Sequence, residues 1–253
     1  MGSPGKVETL IKRKTSHGKT IIAALIDPED FTPKQAAATA LTAIKAGVSL
    51  ILVGGSTIAS QSKLDSVVKS VRRHVASHHV PVVLFPGPGA PVSRFADAIL
   101  FSSLLNSTNP YFIVGAQALG AMEVLKSGIE SIPMGYLVFG NSSSAGFIGQ
   151  VNPLPLGKPS LAVIYGLAAK HLGKRVLYLE AGSGAAESIN PQTVKAVRKL
   201  YDGTLMVGGG ITSASKAGMI AAAGADIIVV GNLLQTPRYE ETLREITKAI
   251  RKS

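Results

Sequence analysis

The chain has no cysteine and no tryptophan, and aromatic residues make up only 5% of it. Without cysteine, disulfides, zinc–thiolate sites and cysteine nucleophiles are excluded, and we expect a cytoplasmic protein. No apolar run reaches the roughly 18 residues that a membrane-spanning helix needs. The stretch from Met1 to Lys14 also lacks the apolar centre of a secretory signal.

Charged residues are few as well, at 16%, whereas 46% of the chain is hydrophobic, which indicates a sizeable core of Ala, Val, Ile and Leu. The 26 basic and 15 acidic residues leave a net charge of +11. A positive field suits nucleic acid, a phosphorylated substrate or an anionic membrane surface. Because the basic residues lie in short dispersed groups without interleaved aromatic residues, we expect no nucleic-acid partner.

Apolar β-branched runs alternate with Ala-rich helical stretches, which is typical of repeated βα units. The predicted strands are Thr20–Ile26, Ser49–Val53, Pro81–Phe85, Ala98–Phe101, Pro133–Phe139, Arg175–Leu179, Thr204–Val207 and Asp226–Val230. The predicted helices are Pro33–Ala46, Ser62–Ser77, Tyr111–Ser127, Ser160–His171, Pro191–Leu200, Ala214–Ala223 and Tyr239–Lys252. Since no linker divides the chain, the pattern predicts one domain over residues 1–253, a single (β/α)8 TIM barrel.

Two connections depart from the barrel pattern. Only about a dozen residues, Pro86 to Asp97, separate the third and fourth strands, so the third helix is expected to be shortened or missing. The barrel wall exposed there would be covered by the N-terminal segment or a partner subunit, or would form a groove for a long apolar ligand. The second departure, Gly140–Pro159, is rich in Gly, Ser, Asn and Pro, and a loop of this length is usually functional or mobile.

Polar or glycine-rich groups follow every predicted strand, at the rim that carries the active site in this fold. They are residues 26–30, 54–56, 86–88, 102–107, 140–142, 180–184, 208–210 and 231–232. The groups after strands seven and eight, Gly208–Gly210 and Gly231-Asn232, predict a phosphate site, because glycine lets backbone N–H groups approach an anion. The alternative is that these glycines only form tight turns.

Two carboxylates stand out at this rim. Glu180 ends the sixth strand beside the glycine groups, where it can act as a general base or pair with a surface cation. Asp27 ends the first strand, where it can bind magnesium with Ser56 as a neighbouring oxygen donor, or cap a turn. None of the five histidines follows a strand, so a histidine-centred site is not expected.

These groups together resemble the geranylgeranylglyceryl phosphate synthase family. The matching segments are Leu25–Pro28, Val53–Ser56, Leu84–Gly87, Ser103–Ser107, Tyr178–Gly184, Val207–Ile211 and Val230–Asn232. They occur in order from the first strand to the eighth, and the Tyr-Leu-Glu-Ala-Gly-Ser-Gly run is the most specific of them.

The resemblance implies an archaeal-type, Mg²⁺-dependent prenyltransferase that moves a geranylgeranyl group from its diphosphate to the 3-hydroxyl of sn-glycerol 1-phosphate, the first ether-bond step of archaeal membrane lipid synthesis. It implies that Asp27 and Ser56 hold the metal and that Glu180 activates the hydroxyl. The implied glycerol-phosphate residues are Tyr178, Leu179, Glu180, Ala181, Gly182, Ser183, Gly184, Gly209, Gly210, Gly231 and Asn232. A homo-oligomer and transient membrane contact are also expected.

The chain departs from the family pattern in two places. Leu25 stands two residues before Asp27, where one branch has Lys, which places the chain in the other branch. The segment from Phe139 to Gly146 lacks the usual Pro near its start. Two other functions stay open from the residues alone: a barrel enzyme acting on a small sugar phosphate, and a non-enzymatic protein that binds nucleic acid or lipid headgroups.

Overall fold

A computed structural model describes residues 3–58, 60–87, 89–140 and 143–251. In it, eight parallel strands close into one barrel in chain order, with the last strand paired to the first. The strands are β1 (Ile21–Ile26), β2 (Leu50–Val53), β3 (Val82–Leu84), β4 (Ala98–Leu104), β5 (Glu130–Val138), β6 (Val176–Glu180), β7 (Thr204–Gly208) and β8 (Ile227–Val230). The predicted TIM barrel is confirmed, although β4 and β5 are longer than their apolar runs.

The chain has helices between its strands, and most of them bury the outward-facing strand residues. They are α1 (Lys6–Thr15), α2 (Pro33–Lys45), α3 (Gln61–Val75), α4 (Ala116–Ser127), α5 (Ser144–Ile148), α6 (Pro159–His171), α7 (Pro191–Arg198), α8 (Ala214–Ala222) and α9 (Tyr239–Ile250). Thr32, Asn190 and Ser213 accept backbone N–H bonds at the starts of α2, α7 and α8, and each stands directly before the residue at which that helix was predicted to begin. Lys252, the predicted end of the last helix, lies outside the described residues. In the described ranges, every helix is too short or too polar to cross a bilayer.

Helix α1, which the sequence analysis missed, closes the amino-terminal end of the barrel. Its Val7 and Ile11 join the cluster of side chains inside the barrel. The Glu130 carboxylate accepts hydrogen bonds from the backbone N–H groups of Val7 at 2.7 Å and Glu8 at 2.9 Å. These donors lie in the first turn of α1, where the helix itself offers no acceptor. The buried Glu8 in turn pairs with Arg175 at 2.8 Å.

The third helix is missing, as predicted: within the described residues between β3 and β4, 85–87 and 89–97, the chain forms only turns, bends and irregular segments. Pro88 lies outside the described residues. Because α1 occupies the end of the barrel, it does not cover this gap. A groove runs there instead, between Val92 on the connecting segment and α4.

The connection after β5 is more ordered than its composition suggested. Ser143 caps the short helix α5 by accepting the N–H of Gly146 at 3.1 Å. Two isolated bridges, Ser107–Val151 and Phe139–Leu154, then tie the segment to the rim. Asn141 and Ser142 lie outside the described residues.

Candidate active site

A cavity of about 710 Å³ opens at the carboxyl end of the barrel and continues into the groove beside α4. Its two ends differ in chemistry. The barrel end is lined by the polar residues Asp27, Ser56, Glu180, Ser183, Asn232 and Gln235. The groove end is lined by Ala90, Val92, Phe101, Phe112, Leu119 and Val124. The cavity therefore suits a ligand with a charged head and a long apolar tail.

Glu180 is buried at the end of β6, and both of its carboxylate oxygens accept a hydrogen bond. Oε1 accepts the backbone N–H of Gly182 at 2.9 Å, and Oε2 accepts the Tyr178 hydroxyl. Tyr178 and Glu180 meet because residues two apart on a strand face the same side. Burial raises the pKa of Glu180, although the Tyr178 hydroxyl and the Gly182 N–H act in the opposite direction. A carboxylate with a raised pKa is a stronger base near neutral pH.

Three aromatic rings lie beneath Glu180. Tyr178 contacts Phe85 at 5.4 Å and Tyr136 at 5.1 Å between ring centroids, and Phe85 lies 5.8 Å from Tyr136. Burial raises the pKa of both tyrosines well above the ordinary value, and the charge of Glu180 raises it further. Both hydroxyls therefore stay protonated at physiological pH, and that of Tyr178 donates to Glu180.

The loop after β7 packs directly against the loop after β6. A side chain at Gly209, where φ is +81°, would place its Cβ 2.6 Å from the Gly182 nitrogen and 2.8 Å from Glu180 Oε1. A Cβ at Gly210, where φ is +66°, would lie 2.6 Å from the Glu187 carbonyl oxygen. At both positions only glycine fits the left-handed conformation and the available space. Because Gly209 has no side chain, the backbone of the β7 loop comes close to the Glu180 carboxylate.

The loop after β8 joins the same wall. The Ser183 hydroxyl donates to Asn232 Oδ1 at 2.5 Å, which links the loops after β6 and β8. Gln235 Nε2 donates to Asp30 Oδ2 at 2.8 Å and links the β8 loop to the β1 loop. Adjoining glycine-rich loops of this kind suit a phosphate group, because glycine lets backbone N–H groups approach an anion.

Asp27, at the end of β1 and next to the loop after β8, is half-buried. Its Oδ1 accepts the Glu29 N–H at 2.9 Å, and a Cβ at Gly55 would lie 2.0 Å from its Oδ2, so Gly55 makes room for the carboxylate. Burial, and then the charges of Asp30 and Glu29, raise the pKa of Asp27 despite the Glu29 N–H.

The described residues contain no cluster of three or more Asp, Glu, His or Cys suited to a metal. A cation at this side of the cavity would have Asp27, the Ser56 hydroxyl and substrate oxygens as ligands. That donor set is one that Mg²⁺ accepts, since it is often bound through one or two carboxylates with phosphate oxygens and water.

Comparison with known proteins decides the family. A model of the PcrB family matches residues 14–250. The chain belongs to the PcrB family. It is 46% identical over 248 residues to a geranylgeranylglyceryl phosphate synthase from Nitrosopumilus maritimus, covering 98% of both chains. It is also 46% identical over 233 residues to the enzyme of that name from Methanothermobacter thermautotrophicus, covering 92% of this chain and 94% of the relative.

The fold of this PcrB-family chain is also similar to a solved enzyme structure. (S)-3-O-geranylgeranylglyceryl phosphate synthase from Thermoplasma acidophilum, in complex with sn-glycerol-1-phosphate, superposes with a TM-score of 0.94 and 34% sequence identity. The match covers 99% of this chain and 100% of that one. The family resemblance drawn from the motifs is therefore confirmed, while the branch indicated by Leu25 stays a prediction.

The structure brings part of the predicted site of the PcrB-family chain to the cavity surface. Asp27, Ser56, Glu180, Ser183, Gly231 and Asn232 line the cavity. Tyr178, Leu179 and Ala181 are buried, and the side chains of Leu179 and Ala181 pack in the layer between strands and helices. Gly182 and Gly184, in the loop after β6, and Gly209 and Gly210, in the loop after β7, are not among the residues that line the cavity.

Sequence reasoning missed several residues of the site. Tyr136 and Phe85 line the cavity but lie within apolar strand segments, where nothing local distinguishes them from core residues. Gln235 was also missed; it bonds to Asp30, a member of the predicted rim group 26–30, from the opposite end of the chain. Only the Tyr178–Glu180 contact had a local signal, the two-residue period of a strand.

Proposed function

We propose that the chain is a Mg²⁺-dependent prenyltransferase that transfers a geranylgeranyl group from its diphosphate to the 3-hydroxyl of sn-glycerol 1-phosphate. The observation that carries the proposal is the single cavity that joins a buried carboxylate base, glycine loops and an apolar groove. The names of the similar enzymes and the bound sn-glycerol-1-phosphate of the Thermoplasma acidophilum structure support the same reaction.

Each part of the cavity has a role in this reaction. The loops at Gly182–Gly184, Gly209-Gly210 and Gly231-Asn232 bind the phosphate of the acceptor through backbone N–H groups. The groove beside α4 takes the prenyl chain, whose apolar surface is removed from water there. Because both substrates bind at the same rim, the bimolecular reaction between them becomes effectively unimolecular.

Glu180 acts as the general base. It takes the proton of the 3-hydroxyl while the glycerol oxygen bonds to C1 of the prenyl group and the bond from C1 to the diphosphate oxygen breaks. The diphosphate leaves with the electron pair. Tyr178 and Gly182 hold the carboxylate in place with one hydrogen bond to each oxygen.

Asp27 and Ser56 hold the metal in this proposal. Their hard oxygen donors and the space left by Gly55 fit a small divalent cation beside the diphosphate. Bound Mg²⁺ would neutralise the charge that develops on the departing diphosphate.

A solvent-extraction assay tests the proposal. Labelled sn-glycerol 1-phosphate is incubated with the chain and farnesyl, geranylgeranyl or heptaprenyl diphosphate, with Mg²⁺ or with EDTA. Transfer of label to the organic phase only with Mg²⁺ is expected, with geranylgeranyl diphosphate the best donor. Absence of transfer from folded protein with every donor would contradict the proposal and favour a sugar-phosphate enzyme.

We also propose that the chain is a homo-oligomer in the cytoplasm. On α4 and the turn before it, Val114, Leu119, Met122 and Leu125 are 62%, 77%, 58% and 72% exposed. A helix this apolar is normally covered by a partner, and a second copy can supply a matching apolar face. Sedimentation should give an oligomer that Met122→Glu with Leu125→Glu dissociates, whereas a monomeric wild type would contradict this.

Transient membrane contact follows from the lipid nature of the donor and the product. Flotation with anionic vesicles, compared in low and high salt, measures it. Binding that salt weakens is expected from the net charge of +11. Protein that stays entirely out of the vesicle fraction at low salt would contradict it.

A further inference from the structure

Lys216, in the first turn of α8, joins two loops of the proposed phosphate site. Its Nζ donates to the Ala186 carbonyl oxygen at 3.1 Å and to the Gly210 carbonyl oxygen at 3.2 Å. Ala186 belongs to the loop after β6, and Gly210 to the loop after β7. One ammonium group therefore connects segments that are far apart in the chain.

The position of Lys216 is itself fixed. Its backbone N–H donates to the Ser213 hydroxyl at 3.3 Å, in the cap that starts α8. The side chain is only partly exposed, so its stem lies along the protein surface while the charged end reaches the two carbonyls.

The two loops that Lys216 joins are in tight contact. A Cβ at Gly210 would lie 2.9 Å from the Ala185 carbonyl oxygen and 2.6 Å from that of Glu187. The Ala186 and Gly210 carbonyl oxygens both lie within hydrogen-bond distance of one Nζ, so two partial negative charges are near each other there. The Lys216 ammonium supplies both a charge and two donated hydrogen bonds.

The geometry points to Lys216 as a positioning residue for the acceptor phosphate, an inference that rests on the proposed function. We propose that it holds the loops after β6 and β7 at the separation that lets their backbone N–H groups bind one phosphate. Its positive charge beside Gly210 adds to the attraction of the dianion. Glu180 and the prenyl groove do not contact Lys216, so the proton transfer is unaffected once the acceptor is bound.

Three variants test the inference. Lys216→Met removes the charge and both donors but keeps the unbranched stem, and Lys216→Arg keeps the charge. Lys248→Met makes the same chemical change at an exposed lysine in the last turn of α9, at the opposite end of the barrel, and serves as the control. We expect Lys216→Met to raise the KM for sn-glycerol 1-phosphate about tenfold, with kcat changed by less than about threefold.

Lys216→Arg should have a KM for sn-glycerol 1-phosphate close to that of wild type, and Lys248→Met should have the wild-type KM. A drop in kcat with an unchanged KM, or an equal effect of Lys248→Met, would overturn the inference. Titration calorimetry with sn-glycerol 1-phosphate, without prenyl donor, should give the same tenfold weakening.

Amide hydrogen exchange separates this inference from the proposed function, because it needs no substrate. In Lys216→Met, exchange should accelerate at residues 182–187 and 209–211 and stay unchanged in β1 and β2. Unchanged exchange in those loops would overturn the positioning role even if the enzyme is active. Wild type that fails to bind sn-glycerol 1-phosphate, with exchange accelerated in the variant, would overturn the proposed substrate while the link between the loops stands.

Discussion

Replacement of Tyr178 by Phe should move the acid limb of the pH–rate profile to higher pH. The Tyr178 hydroxyl donates to Glu180 Oε2 and lowers the pKa of that carboxyl against the larger effect of burial. Without the donor, Glu180 binds a proton more readily, so less of the enzyme holds the base form at any acid pH. Phe keeps the ring that contacts Phe85 and Tyr136.

The size of the effect follows from the hydrogen bond that is lost. A hydrogen bond to a charged group contributes about 1.5–3 kcal/mol. Because the pair is buried, little of this is lost to solvent screening. The proton affinity of Glu180 then rises by a factor of roughly ten to one hundred, and kcat/KM falls by the same factor at a fixed pH on the acid limb.

The assay is kcat/KM for prenyl transfer measured across the stable pH range. At alkaline pH the variant should approach wild type, since Glu180 is ionised in both. Tyr201→Phe is the matched control, because Tyr201 is also buried but donates to the Lys174 carbonyl oxygen at 2.8 Å, away from the cavity. An acid limb that stays in place or moves to lower pH in Tyr178→Phe would refute the reasoning.

Three further predictions concern other parts of the cavity. Asp27→Asn should raise the Mg²⁺ concentration for half-maximal rate and lower kcat about 100-fold or more, while the Kd of sn-glycerol 1-phosphate measured by calorimetry stays unchanged. Gly209→Ala should lower the free energy of unfolding in urea by about 1–3 kcal/mol. It should also raise the acceptor KM, whereas Gly18→Ala, with φ of +73° but open space around it, affects stability alone. Gly120→Trp should shift preference to shorter donors, because Gly120 lines the groove and has nothing within 4 Å of an added Cβ. Ala121→Trp, exposed and outside the lining, should leave the preference among donors unchanged.

The barrel could be predicted from sequence because every strand contains a short apolar run, and most of these runs are almost wholly buried. β2 and β8, for example, are apolar at every position and are flanked by helix-forming segments. The missing third helix was also predictable, since too few residues and several prolines separate β3 from β4.

Helix α1 was not predictable because the contacts that place it come from distant residues. The backbone N–H groups at its start donate to Glu130, which is 122 residues away from Glu8 in the sequence. Only Val7 and Ile11 of its apolar residues enter the barrel interior, too few for a clear helical period.

The candidate site was predictable where it depends on strand ends and not where it depends on loop contacts. Asp27 and Glu180 share a cavity because the carboxyl ends of all barrel strands meet at one rim. The hydrogen bond from Ser183 to Asn232 and the two hydrogen bonds from Lys216 connect different loops. The paths of these loops are set by tertiary packing rather than by local pattern.

The central claim is that the glycerol oxygen attacks the prenyl carbon in this cavity. The most direct test is transfer from geranylgeranyl diphosphate to sn-glycerol 1-phosphate that carries heavy oxygen only in its 3-hydroxyl, with the product analysed by mass spectrometry. The proposed mechanism predicts a prenyl glyceryl phosphate that retains the heavy oxygen in its ether bond. A lipid product without the label, or release of geranylgeraniol alone, would contradict it.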